Sequence, residues 1–258
     1  MSFDADVLAC AAIVEKGDPK RFAAAMASPL AARKVLFPLY AFNVEVTRAP
    51  WVTQEPMIAE MRLQWWRDAL EEIAEAKQVR KHEVTVPLAD AISPDIARYL
   101  DRLVQARRWD IYKDAFEDEN HFDDYLMRTG GFLMWSAASA LGVDASPELE
   151  NSITAFGKAS AFVRFLQAVP ALEARGRIPL VDGRAEAIAE KARGLKAQIS
   201  ADRVLRRKTT GTARPALLEG WQTQPLLDQI ARNPTRVGDG AIGLSEARRR
   251  LRLLLWAL

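Results

Sequence analysis

Arg33-Lys-Val-Leu-Phe-Pro-Leu-Tyr-Ala-Phe-Asn43 is a largely apolar run with one proline, Pro38, near its centre. It lies in a stretch, 29–49, that opens with Ser28-Pro29, a hydroxyl suited to the N-cap followed by a proline suited to the first helical position. The same start signal recurs at Ser93-Pro94 and Ser146-Pro147, and with a carboxylate at Asp18-Pro19. Between these starts apolar residues fall at helical spacing, as in Met57, Met61, Leu63, Trp65, Leu70 and Ile73, or Ile96, Leu100, Leu103 and Val104. Nothing alternates convincingly with period two. Helices are expected near 4–16, 19–27, 29–49, 56–77, 94–110, 121–141, 147–169, 184–208, 213–231 and 245–258, giving an all-α bundle. Pro38 lacks an N–H and crowds the preceding turn, which predicts a kink or break in the third helix. Val237-Gly238-Asp239-Gly240 reads as a connector before the last one.

Composition narrows the function. At 258 residues, with 49% apolar and 27% charged side chains, the chain is expected to form one domain, 1–258, with a sizeable core. Lys+Arg 36 against Asp+Glu 34 leaves a formal charge of +2, so no overall field argues for nucleic acid. A single cysteine, Cys10, excludes an internal disulfide framework, and two histidines leave little from which to build an imidazole or thiolate metal site. No run reaches the roughly 18 uncharged apolar residues of a membrane span. The N-terminal MSFDADVLACAAIVEKGD carries acids where a signal peptide has a basic leader. The expected location is cytoplasmic, or peripheral at the inner face of the membrane.

The Arg33–Asn43 segment resembles the first signature helix of squalene and phytoene synthases, in which an arginine precedes a Tyr-Ala-Phe-type core. Arg62-Leu-Gln-Trp-Trp-Arg-Asp-Ala-Leu70 resembles that family's next helix, Asp123-Asp124-Tyr125 through Gly130-Gly131 its mid-chain helix, and Phe156 through Leu180, ending Arg175-Gly-Arg-Ile-Pro-Leu, its second signature. The resemblance implies the isoprenoid synthase fold. It also implies a central cavity across which two Asp-x-x-x-Asp pairs hold Mg²⁺ and, through it, a prenyl diphosphate, whose departure needs divalent charge. Aligned on Tyr40-Ala41-Phe42, the first pair becomes Thr47 and Trp51; aligned on Gly176-Arg177, the second becomes Ala168 and Leu172. No Asp occurs from 19 to 67 or from 145 to 181, so no shift of register restores either pair. Pro170 is expected to end its helix early.

Ala41-Phe-Asn-Val-Glu-Val46, Met61-Arg-Leu-Gln-Trp-Trp66 and Phe156-Gly-Lys-Ala-Ser160 are similar to a divergent branch of that family, which includes a mitochondrial assembly factor for respiratory complex I and also lacks the Asp pairs. The resemblance then implies a catalytically silent scaffold or lipid pocket, acting on a membrane-bound NADH:quinone oxidoreductase and needing no cofactor. Two alternatives stay open. One is a prenyltransferase on farnesyl or geranylgeranyl diphosphate that uses Mg²⁺ through relocated carboxylates; the other is a binding module for an isoprenoid lipid.

Several residues are candidates for that pocket. Arg33, Arg62, Arg164, Arg175 and Arg177 are the cations the resemblance places nearest a phosphate, and guanidinium forks suit phosphate oxygens. Tyr40, Asn43, Glu45 and Gln167 could line the pocket; for Asn43 and Glu45 the alternative is an interhelical bond to Arg62 or Arg164. Trp51, Trp65, Trp66, Phe162 and Phe165 could wall an isoprenoid tail or simply pack the core. Asp110-Ile-Tyr-Lys-Asp114 is a literal Asp-x-x-x-Asp, and it also reads as a solvated acidic connector. His82 and His121 are assigned no role. In Ser245–Leu258, Ala247, Leu251, Leu254, Leu255 and Leu258 share one helical face, and the other face is rich in arginine. With Arg203, Arg206, Arg207 and Lys208 upstream, that segment reads equally as a basic amphipathic surface against anionic lipid or as a last helix docking its leucines on the bundle.

Overall fold

The computed structural model describes residues 5–199, 205, 207–209 and 211–257. Its helices are α1 (Ala5–Gly17), α2 (Pro19–Met26), α3 (Leu30–Arg48), α4 (Pro56–Ala74), α5 (Thr85–Ala91), α6 (Pro94–Ala106), α7 (Glu119–Leu126), α8 (Phe132–Ala140), α9 (Pro147–Glu173), α10 (Ala185–Gln198), α11 (Thr223–Arg232) and α12 (Glu246–Ala257). No strand occurs among the described residues. Three of the proline-marked starts are built as read: Asp18, Ser93 and Ser146 each accept a backbone N–H three residues on. The fourth is not. Pro29 itself occupies the N-cap of α3, while the buried Ser28 hydroxyl turns back to donate to Ala24 O at 2.9 Å and closes α2.

α3 is the axis of the bundle. All nine residues from Leu36 to Val44 are buried, which marks a helix surrounded on every side. That packing carries the helix through Pro38 without a break. Pro170 likewise fails to end α9, which continues to Glu173 because Leu166, Val169 and Leu172 are buried on both sides of it. The 121–141 region is interrupted by a π-helical turn, Met127–Gly131, and the expected 213–231 helix begins as a 3-10 stretch, Gly211–Gly220. α5, seven residues with a proline, was not anticipated.

The π turn lies against α9 at backbone distance. A Cβ on Gly130 would stand 2.4 Å from Ala161 Cβ, and one on Gly157 would stand 2.6 Å from Gly130 O and 2.8 Å from Gly131 Cα. Glycine at these positions lets two backbones touch and brings Tyr125 and Thr129 to face α9. At the other end, the Trp256 ring stacks on Phe156 with centroids 5.9 Å apart, and Arg252 Nε donates to Trp221 O at 3.1 Å. α12 therefore docks through Trp256, which is 6% exposed, with Leu253 partly buried against the core, while Leu251, Leu254 and Leu255 point outward at 57%, 59% and 56% exposure. Leu258, Arg203 and Arg206 lie outside the described residues.

Substituting Gly157→Ala drives a methyl into backbone atoms that no side-chain rotation can clear. A loss of about 1–3 kcal/mol is expected, read as a lower urea midpoint at unchanged slope.

Candidate functional site

A cavity of about 500 Å³ opens between the last turns of α3, the start of α2, the end of α6 and the middle of α9. Asn43 and Thr47, four apart on α3, face it, as do Trp51, Ala168 and Leu172. All four positions that correspond to the Asp pairs thus line one cavity, and the bulky replacements Trp51 and Leu172 leave it open.

Its charges are organised in two clusters. In the first, the Asp18 carboxylate accepts Arg21 Nη1 at 2.9 Å and Arg164 Nη1 at 2.9 and 3.2 Å. Arg21 Nε also donates to the buried Glu219, and its guanidinium lies 5.6 Å from the Tyr40 ring centroid. Burial alone would raise the Asp18 carboxyl, but Arg164 and Arg21 outweigh it and hold that group well below the ordinary carboxylate range. Burial and then Glu219 push the Tyr40 hydroxyl far up, so it stays neutral. Next to this cluster, Lys20 Nζ donates to Gln167 Oε1 at 2.6 Å, and burial followed by Arg164 lowers its ammonium to about 8. In the second cluster, Tyr125 donates to Asp110 Oδ1 at 3.0 Å and accepts Arg107 Nη1 at 2.8 Å, while Arg107 also bonds Asp110 Oδ2 at 3.1 Å. Arg177 donates to Trp109 O at 3.2 Å and Asp110 O at 2.5 Å. Arg175 and Arg177 stand 4.8 and 5.0 Å from the Trp51 ring centroid, so an aromatic face held by two guanidiniums occupies a position where a carboxylate is expected in the resembled family.

These residues do not fit Mg²⁺. The cavity's two carboxylates, Asp18 and Asp110, are committed to guanidinium and phenol donors, and five lining arginines (21, 48, 107, 164 and 175) outnumber them. Asp114 is no partner for Asp110: the first is exposed on the loop after a 3-10 turn, the second is buried at the end of that turn, and no helix places them on one face. Among the described residues, no three His, Cys, Asp or Glu side chains gather into a metal-holding group. What the arrangement can do is receive an anion: Thr47 Oγ1 and Arg107 Nε are buried there without a hydrogen-bond partner and both can donate, while the equally unpartnered Asn43 Oδ1 can only accept.

Other candidates lie elsewhere. Glu45, Arg62 and Trp66 line a separate groove of about 490 Å³ with Trp65, Met61 and His82; Arg48 borders both. Glu45 pairs with Arg48 at 3.0 Å rather than with Arg62 or Arg164, since it lies about 200° round α3 from Asn43. Arg33 donates to Ser28 O and Met26 O, both at 2.8 Å, and caps the end of α2. Gln167 ties α9 to the final connector by donating to Ile242 O at 3.1 Å. Phe162 packs in a core cluster of rings with Phe122, which Phe165 joins while also touching the cavity. Asp18, Arg21, Arg48, Arg107, Tyr125 and Glu219 were not among the candidates. Asp18 is legible only as a helix cap; its pairing with Arg21, and those of Arg48 with Glu45 and of Arg107 with Asp110, span three residues, whereas Arg21 meets Glu219 from 198 residues away.

Asp18→Asn leaves Arg21 and Arg164 short of a counter-charge. The expected cost is about 3 kcal/mol, at the low end for a broken buried pair because Arg164 keeps some solvent. Because the folded carboxyl titrates below its unfolded value of about 4, its contribution is complete above that pH and is lost as pH falls below it. Thermal melts from neutral pH downward should therefore show a shallower acid decline in the variant than in the wild type.

Comparisons with known proteins agree with this geometry. The squalene/phytoene synthase family profile matches residues 14–237. A dehydrosqualene synthase solved in complex with a ligand superposes with a TM-score of 0.74 over 97% of this chain and 95% of its own, at 16% identity. A squalene synthase from Alicyclobacillus acidocaldarius gives 0.59 over 98% and 91%, also at 16%. At that identity the likeness shows the fold alone. Among relatives, a Drosophila melanogaster homolog of NADH dehydrogenase (ubiquinone) complex I, assembly factor 6, is 29% identical over 67% of this chain and 53% of its own length. The Mus musculus assembly factor 6 is 25% identical over 66% and 51%. The chain spans about half the length of these relatives. With its profile match over most of its length, this chain belongs to the squalene/phytoene synthase family.

Proposed function

We propose that this chain assists the assembly of respiratory complex I, the NADH:quinone oxidoreductase, and performs no metal-dependent prenyl transfer. The observation that carries this reading is the cavity itself, lined by Thr47, Trp51, Ala168 and Leu172, with its two carboxylates, Asp18 and Asp110, held by arginine or tyrosine. Ionisation of a diphosphate needs divalent charge at the leaving group, and guanidiniums bind such a group without supplying it. The similarity to assembly factor 6 proteins supports the partner. In this reading the cavity is a metal-free pocket for an isoprenoid or other lipid bearing a phosphate. The chain works at the inner face of the membrane and touches it only peripherally, since none of its described helices is long and apolar enough to cross.

Calorimetric titration with farnesyl thiodiphosphate tests the pocket. Binding of equal affinity with and without Mg²⁺ is expected, weakened by about 1.5–3 kcal/mol in Arg175→Ala. Mg²⁺-dependent binding, or diphosphate released from farnesyl diphosphate, would return the chain to the synthases. The assembly role has its own test: membranes from cells lacking the chain should lose NADH:quinone oxidoreductase activity and regain it with the wild-type chain. Unchanged activity would end that reading.

A further inference from the structure

Along α12 the residues 247, 251, 254 and 255 share one face, and Trp256 lies opposite, buried on Phe156. Anchored by that ring and by Arg252 on Trp221 O, the helix presents Leu251, Leu254 and Leu255 to the outside, each more than half exposed. Arg248 and Arg250, both exposed, stand on opposite edges of this stripe. The helix's one acid, Glu246, lies towards the docked side and is bonded to Arg249 and Arg250.

We propose that α12 lies in the plane of an anionic lipid bilayer, its three leucines entering the acyl boundary and Arg248 and Arg250 meeting headgroups on either side. Charge decides the occupant. The leucine face has no acid or hydrogen-bonding side chain with which to fix a protein partner in register, whereas cations along both edges of an apolar stripe suit a continuous anionic plane. Four arginines, Arg248, Arg249, Arg250 and Arg252, and a ring docked on the bundle suit a helix that lies on the bilayer rather than through it. Docking by Trp256 also means that the helix is formed before it meets lipid, which removes an ordering cost that free amphipathic peptides carry. The inference rests on the membrane-side reading above for the choice of surface, and it adds the element that makes the contact.

Co-sedimentation of the purified chain with sucrose-loaded vesicles tests it. The wild type should bind vesicles of phosphatidylglycerol mixed with phosphatidylcholine, bind pure phosphatidylcholine far less, and release as salt rises. Leu251→Glu with Leu255→Glu should reduce partitioning roughly tenfold or more. Arg248→Ala and Arg250→Ala should each reduce it about fivefold. Both leucines are exposed, so the variant should melt as the wild type does, and a matched melt shows that the loss is one of contact. Absent binding to anionic vesicles, or leucine variants that bind like the wild type, overturns the proposal; so does a wild-type dimer that Leu251→Glu turns into a monomer, which would make a second copy the occupant. Vesicle binding is read without complex I. Its failure beside an intact dependence of complex I activity removes this inference alone, and the opposite pattern removes the assembly reading alone.

Discussion

The carboxylate of Asp18, gripped by Arg21 from its own helix and by Arg164 from α9, is the constraint on which the interior depends. Through Arg21 the same network reaches Glu219, 198 residues away, so that α2, α9 and the 3-10 stretch at 211–220 are fastened at one point beside the cavity. Charges so far from water persist only when each is answered, and here each guanidinium has a carboxylate and the carboxylate has two guanidiniums. A carboxylate whose lone pairs are occupied by arginine has none to offer a divalent ion.

The effect is an inversion of sign. A cavity built for Mg²⁺ needs inward-facing anions; this one is lined by arginines and by an aromatic ring clasped between Arg175 and Arg177. Low-dielectric walls strengthen the field of a charge surplus, and a surplus of guanidiniums favours anions over divalent cations. Fold and cavity charge are thus separate features of this chain: its helices superpose on those of a synthase, while the lining of its cavity is rich in arginine.

Much of the architecture was legible because its signals are local. A cap and a proline announce a helix within four residues, and three such starts are built as written. The failures are cases where packing outweighed local preference: Pro38 persists in a helix buried on every side, Pro170 in one whose Leu166, Val169 and Leu172 are buried, and the π turn at Met127–Gly131 answers to α9 rather than to its own propensities. For the site, Thr47, Trp51, Ala168 and Leu172, which motif register assigns to the Asp positions, line one cavity. Proximity along the chain misplaced Glu45, because two residues on a helix are more than half a turn apart. In the Asp18–Arg21–Glu219 network the first pair lies at i,i+3 spacing, but the link to Glu219 could not be read, since nothing in the spacing of charges tells which distant partner a buried arginine will meet.

The glycine seam gives the cavity one fixed side. Where Gly130 and Gly157 meet, backbone rests on backbone, and no side chain lies between them to change rotamer and open a gap. The wall formed by the π turn and α9 therefore has a set position, and any adjustment to a guest must come from the opposite side, where the half-exposed Arg48 borders the cavity. The molecule then resembles a vice with one stationary jaw: ligand size would be accommodated near α3, and evolutionary change in what the cavity accepts would be written in the residues around 47–52 rather than in α9.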